Sequence, residues 1–329
     1  MNRNYAFLLI FFAFAACENK ECEINPEIAA IPMEVSIERK EVPLFKSTTS
    51  GEVRAFLEDN PTLADYFLDA NQYPSDSVLA NQMIKLIPHL DSLQMEVDGK
   101  FVDISWLESQ YASAFQHLKY YYPTAKTPKA QTMITGFYRD IYFSDSLLVI
   151  GLDFFIGDDS KYKPNNVPAY IARRFKPDYI VPASFFFLSD YYNKVDYGDN
   201  TLLNEMITAG KTYYFTERMV PCVPDSIIIG FSEEELREVH KNEDVVWANF
   251  VQNQLLYETE PKLINKFMGE RPNVYEIGEK CPGRIGAWVG WEIVRSYMEN
   301  NPKVTLQQLM EEDDPKKIFT LSKYRPNPH

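Results

Sequence analysis

The sequence predicts a helix-rich α+β fold with one small central β-sheet. Three observations carry this. Apolar residues recur at helical spacing through most of the chain, capping-box patterns open several of those runs, and one stretch between about Thr132 and Gly157 switches to short β-rich runs. No internal repeat and no low-complexity block interrupts the pattern.

In chain order, residues 17–45 are polar and punctuated by Pro26, Pro32 and Pro43, with one β-like stretch from Met33 to Arg39; they read as a tether. Thr49-x-x-Glu52 opens a helix with Val53, Phe56 and Leu57 on one side. Helices follow around Thr62–Asn71 and Ser77–Met95, and Ser105-x-x-Glu108 caps a longer one to about Tyr122, with Leu107, Tyr111, Ala114, Phe115 and Leu118 at helical spacing. Strands are expected at Met133–Gly136, Ile141–Phe143 and Leu147–Leu152, the last two joined as a hairpin across Ser144-Asp145-Ser146. Helices resume at Asp178–Asn193, Leu202–Met219, Ser232–His240, Val245–Tyr257, Pro282–Asn300 and Thr305–Glu311. Residues 46–329 form a single domain in this reading.

The N-terminus reads as a targeting segment. Arg3 precedes an unbroken apolar run from Ala6 to Ala16, too short for the ~20 residues a membrane-spanning helix needs. The run ends Phe14-Ala15-Ala16-Cys17, which resembles a bacterial lipobox, so residues 1–16 are expected to be a signal peptide and Cys17 the lipid attachment site. Phe14 stands where Leu is usual, and the alternative is ordinary cleavage after Ala13-Phe14-Ala15. Acyl chains on Cys17 would hold the body on a membrane at about 0.8 kcal/mol per buried methylene.

The chain has 329 residues and a formal charge of −14; removing residues 1–16 takes away one basic residue, Arg3, and leaves −15. So acidic a body is repelled by phosphate backbones, and no nucleic-acid partner is expected. The 21 Tyr and 22 Phe suit a packed core, though aromatic platforms for glycans remain open. Beyond Cys17 the cysteines are Cys22, Cys222 and Cys281. Three allow one disulfide, expected between Cys222 and Cys281 because Cys22 lies in the tether.

Catalytic and metal-binding patterns are missing. His89, His117, His240 and His329 are far apart in sequence, and neither H-E-x-x-H nor C-x-x-C occurs, so no metal and no cofactor is expected. Without a G-x-S-x-G elbow, or a histidine near either body cysteine in sequence, no catalytic residue is assigned, although distant residues can still converge. The glycine-rich stretch Gly283-Arg284-Ile285-Gly286-Ala287-Trp288-Val289-Gly290 fits no nucleotide loop. With Gly283, Gly286 and Gly290 on one helix face, it is better read as a close helix contact, with Trp288, Trp291 and Arg295 on a neighbouring face where a cation–π pair can form.

The same stretch, Ile277 to Met298, resembles the C-terminal signature of the gliding-motility-associated lipoprotein GldB family of Bacteroidetes bacteria. Ile150–Gly157 with Lys161-Tyr162, Arg173–Pro182 and Met206–Pro221 agree in order and spacing. On that resemblance the signature positions are Gly210, Pro221, Gly278, Gly283, Arg284, Gly286, Trp288, Gly290, Trp291 and Arg295, serving packing or partner contact. The resemblance implies a lipoprotein that supports surface gliding and the associated type IX protein secretion, facing the periplasm. Its partners would be a membrane, through the lipid anchor, and other gliding or secretion proteins of the cell envelope. It also implies a degenerate zincin-like metallopeptidase scaffold. The helices that would carry zinc, Asp178–Asn193 and Leu202–Met219, contain no histidine, and Ala209-Gly210 stands where Glu-Gly is the family pattern of zincins. The function expected is therefore non-enzymatic. The alternatives are a zinc peptidase with unrecognised ligands and a surface glycan- or nutrient-binding lipoprotein.

Overall fold

A computed structural model describes residues 22, 24–165 and 167–326; Cys17, the expected signal peptide and His329 lie outside them. The chain order is α1 (Pro26–Ala29), β1 (Ile37–Arg39), α2 (Glu41–Phe45), α3 (Ser50–Asp59), α4 (Pro61–Tyr66), α5 (Asp76–Lys100), α6 (Ser105–Tyr121), β2 (Lys129–Met133), β3 (Ile141–Phe143) and β4 (Leu147–Gly151). There follow α7 (Ala169–Ala172), α8 (Ile180–Leu188), α9 (Leu202–Met219), α10 (Asp225–Ile229), α11 (Glu233–Lys241), α12 (Glu243–Gln252), α13 (Pro261–Met268), α14 (Ile285–Asn300), α15 (Leu306–Glu311) and α16 (Pro315–Ser322). Capping boxes open α3, α11 and α15, where Thr49, Ser232 and Thr305 each accept the backbone N–H three residues on. At α6 the expected box is absent: Asp103 accepts the Ser105 N–H at 2.8 Å, and Glu108 instead accepts the Ile37 N–H at 2.9 Å.

The four strands lie in the order β1-β2-β4-β3. β1, β2 and β4 are parallel, and β3 closes an antiparallel hairpin onto β4, with Ser144 N–H donating to the Leu147 carbonyl at 2.8 Å. Along β4 the side chains alternate between two cores. Leu148 and Ile150 face the large one with α6, α8, α9 and α14, while Leu147 and Val149 join Met133 in a smaller one built by α2 to α5. Both faces are covered, so β4 reads as a continuous apolar run rather than an alternating one.

Two expectations move. The first strand ends at Met133 instead of beginning there, because the chain turns through Gly136 (φ 72°) and Phe137 (φ 64°). That turn is held by the buried Asp153 carboxylate, which accepts the N–H groups of Thr135 at 3.3 Å and Phe137 at 2.6 Å. Burial pushes Asp153 up to about 6, against the pull of those N–H groups. The stretch read as a tether, for its part, folds onto the body between residues 26 and 45. β1 becomes an edge strand, and Arg39 pairs with Glu41, which is fully buried and also accepts the Thr132 hydroxyl at 2.8 Å.

The disulfide also differs from expectation: Cys22 bonds Cys222, 200 residues away, and Cys281 is free and buried. The reason is that α1 docks on α6, with Gln116 donating to the Ile31 carbonyl at 2.7 Å and Tyr120 to Glu27 at 3.3 Å. This brings Cys22 to the end of α9, beside Cys222. Burial pushes the Cys281 thiol up to about 12.

Candidate functional site at the two ends of a helix pair

Helices α9 and α14 cross in the centre of the large core, and their contact is backbone to backbone. A Cβ placed on Gly290 would overlap the Met206 carbonyl, and one on Gly210 would overlap the Gly290 carbonyl. Gly286 meets α13 as well, where a Cβ would lie 2.7 Å from the Met268 sulfur. Gly283 does not share this face. The helix begins at Ile285, Arg284 before it takes a left-handed φ of 59°, and a Cβ on Gly283 would overlap the Arg271 carbonyl. The chain reverses there to leave the Asn273–Pro282 bridge, so only two of the three glycines belong to the helix contact. Gly278 has open space around it, and Pro221 is exposed beside Cys222.

Toward its C-terminal half, α14 presents Arg295 to a ring of carboxylates. Its guanidinium lies 3.9 Å from the Trp291 ring centroid, a cation–π contact against a fully buried indole. It reaches Glu217 at 2.9 Å, Asp225 at 2.8 Å and Glu292 at 3.1 Å, and the Trp291 indole N–H donates to the same Glu217 oxygen at 2.9 Å. Burial pushes Glu292 up to about 7, with Arg295 pulling it down and Glu243 pushing further up. Tyr324 donates to Glu243 at 2.6 Å, and burial with that carboxylate raises its phenol. A groove of about 720 Å³ runs over these groups.

The N-terminal end of α14 carries the second cluster. Arg284 donates to the Tyr213 hydroxyl at 2.8 Å and pairs with Glu270 at 3.0 Å; Arg174 binds Glu270 through both terminal nitrogens, at 2.6 and 2.8 Å. Arg173 pairs with Glu235 at 2.7 Å, and the Gly230 carbonyl accepts from Arg173 at 3.3 Å and Arg174 at 3.4 Å. Burial pushes Glu270 up, but the two guanidiniums outweigh it and hold the carboxyl below its usual range. Beside the cluster lies a cavity of about 400 Å³ walled by Phe155, Phe175 and Phe186.

Sequence reasoning named Arg284, Trp291 and Arg295, and the structure places them at opposite ends of one helix. It did not single out Glu217, Asp225, Glu270 or Glu292 among the many acidic residues. The i,i+3 spacing of Glu292 and Arg295 was the one local signal available. Glu217 and Asp225 come from α9 and α10, and Glu270 from the loop after α13.

Zinc does not fit the pair of helices that would carry it. Along α8, α9 and the turn after α8, the buried polar side chains end in hydroxyls, amides and one amine. Ser184 bonds Tyr111 at 2.7 Å, and Asn193 bonds Thr212 at 3.1 Å. Lys211 donates to the carbonyls of Lys194 at 2.7 Å and Glu312 at 2.8 Å. A metal wants unprotonated nitrogen, thiolate or carboxylate ligands; burial pulls the Lys211 amine down to about 8, which leaves it mostly protonated at neutral pH and repelling a metal ion. Among the described residues no group of three His, Cys, Asp or Glu side chains could hold a metal ion. His117 is buried against the Ser113 carbonyl at 2.8 Å, His240 meets the edge of Trp288 at 5.4 Å, and His89 is exposed on α5.

A family model described as gliding motility protein GldB matches residues 21–326. The chain belongs to the GldB family. No curated protein and no solved structure matches it. The GldB match spans both clusters and the helix contact between them, so the whole body is family material. Membership implies involvement in gliding motility, and a lipoprotein family fits a lipid-anchored envelope protein. No described helix is long and apolar enough to cross a membrane.

Proposed function

We propose that this GldB-family chain is a non-enzymatic lipoprotein, anchored through Cys17 and facing the periplasm, that supports gliding by assisting type IX secretion of surface proteins. The observation that carries the reading is the family match over residues 21–326. Its non-enzymatic part rests on chemistry: the helices that a zincin-like ancestor would use for zinc carry hydroxyls and the buried Lys211 ammonium instead. On this reading the scaffold is a degenerate zincin-like one that contacts other envelope proteins. The two clusters on α14 are spent on internal ion pairs, which suits a rigid binding module better than a reaction centre.

The test is a gene deletion scored for colony spreading and for export of adhesin-like cargo, complemented with wild type and with Cys17→Ala. Loss of both activities, restored only by the lipidated form, is the expected result. Normal spreading and export in the deletion strain would sink the proposal. Stoichiometric zinc retained by the purified protein through dialysis would overturn its non-enzymatic part.

A further inference from the structure

We propose that the Cys22–Cys222 disulfide is an orienting strap that holds one face of the body toward the membrane and presents the helix layer across the sheet away from it. This rests on the reading of Cys17 as the lipid site.

The argument is one of reach. Four residues lie between Cys17 and Cys22, and over those five Cα-to-Cα steps a fully extended chain spans at most ~3.6 Å each, so the leash from lipid to body is at most ~18 Å. A body of this length has a radius of gyration of about 20 Å and hence a diameter near ~50 Å. A leash that short cannot let the body turn over. Without the disulfide the next attachment is α1, a one-turn helix held by buried Ile28 and by the Gln116 and Tyr120 hydrogen bonds, too short to persist by its own backbone bonds. The first segment locked by a sheet is β1, beginning at Ile37, 20 residues after Cys17. That leash reaches ~70 Å, more than the diameter of the body.

The held face is therefore the one that gathers α1, the end of α6 and the end of α9. Arg218 donates to the Tyr121 hydroxyl at 2.7 Å, which ties the last two together just ahead of Cys222. Asp225, three residues after Cys222, completes the Arg295 cluster, so that cluster sits close to the held face in sequence and in structure. Helices α3 and α4 and the first half of α5 pack in the second core, on the other side of the sheet, and face away.

The experiment uses the full lipidated chain, reconstituted in phosphatidylethanolamine/phosphatidylglycerol vesicles carrying an energy-transfer acceptor on the headgroups. A donor dye is placed in turn on Tyr120→Cys, at the held face, and on Asp65→Cys, in α4. With the native disulfide, transfer from position 120 should exceed that from position 65 several-fold. In the Cys22→Ser/Cys222→Ser variant the ratio should fall toward one. Because that variant can misfold, a second one keeps the disulfide and inserts about twelve Gly/Ser residues between Cys17 and Cys22, a leash whose full extension of ~60 Å exceeds the diameter of the body; it should lower the ratio too. Equal transfer from both sites in the native protein, or a ratio unmoved by the insertion, would overturn the strap while leaving the anchor standing. If the native protein fails to float with the vesicles, the anchor reading falls and the strap falls with it.

Discussion

The two ends of α14 use the same residue type to opposite effect. At Arg284 two guanidiniums share one carboxylate, and Glu270 is held below its usual range. At Arg295 one guanidinium faces Glu217, Asp225 and Glu292, and Glu292 is pushed up to about 7. Burial raises both carboxyls; two guanidiniums overcome it at Glu270, whereas Arg295, shared with Glu217 and Asp225, does not overcome it at Glu292. Between the two ends, from Ile285 to Trp291, the helix carries no charged residue, and Gly290 meets the backbone of α9 directly.

That middle should be the least tolerant region. Gly290→Val forces a side chain into the Met206 backbone and Gly210→Val into Gly290; each is expected to cost more than about 4 kcal/mol and to abolish soluble expression or cooperative melting. Well-folded valine variants would mean that α9 and α14 sit further apart than described.

The ends should then separate. Arg295→Ala leaves three carboxylates without their shared partner and is expected to destabilise by about 2–3 kcal/mol, discounted for a side chain still 20% exposed. Arg284→Ala leaves Glu270 with Arg174, and about 1 kcal/mol is expected. Chemical denaturation of both variants decides the order. Equal costs would show that the local charge count does not govern these sites.

Glu292 also makes a pH prediction. Its folded pKa, about 7, lies above the usual 4.5, so the protonated form is bound more tightly in the folded state. Its contribution to stability is fully present below the unfolded value and is lost as pH rises through about 7. Thermal melting of wild type between pH 5 and 8 should fall by a few degrees more than that of Glu292→Gln, on the order of 2 °C per kcal/mol lost. Asp153, pushed up to about 6, adds the same sign over a lower window in both proteins. Parallel curves would sink the assignment to Glu292.

The smallest effect concerns Cys281. Burial holds its thiol up at about 12, so in the folded protein it should resist iodoacetamide at pH 8 and react only on unfolding, as read by mass spectrometry. Ready labelling of the native protein would place it at the surface.

Much of the architecture was legible beforehand. Leu202–Met219 was bounded correctly from its periodicity, and the capping boxes at Thr49, Ser232 and Thr305 open real helices, because caps and apolar spacing are local properties of a few residues. Polar segments that fold only in context were less legible. The short β1 lacks a pattern of its own beyond its β-like composition, and the sequence pattern predicts no helix at α10, α13 or α16. The start of α14 was placed too early because nothing local shows that Arg284 turns left-handed.

By itself the sequence determined the fold class, the hairpin, the close-packing glycines Gly286 and Gly290, and the family, since each rests on spacing or on contiguous residues. Tertiary structure alone decided that Cys22 pairs with Cys222, that Gly283 stands outside the helix, and that carboxylates from α9, α10 and α14 converge on Arg295. The reason is common to all three. Each depends on which distant segments the cores bring together, and sequence spacing carries no record of that.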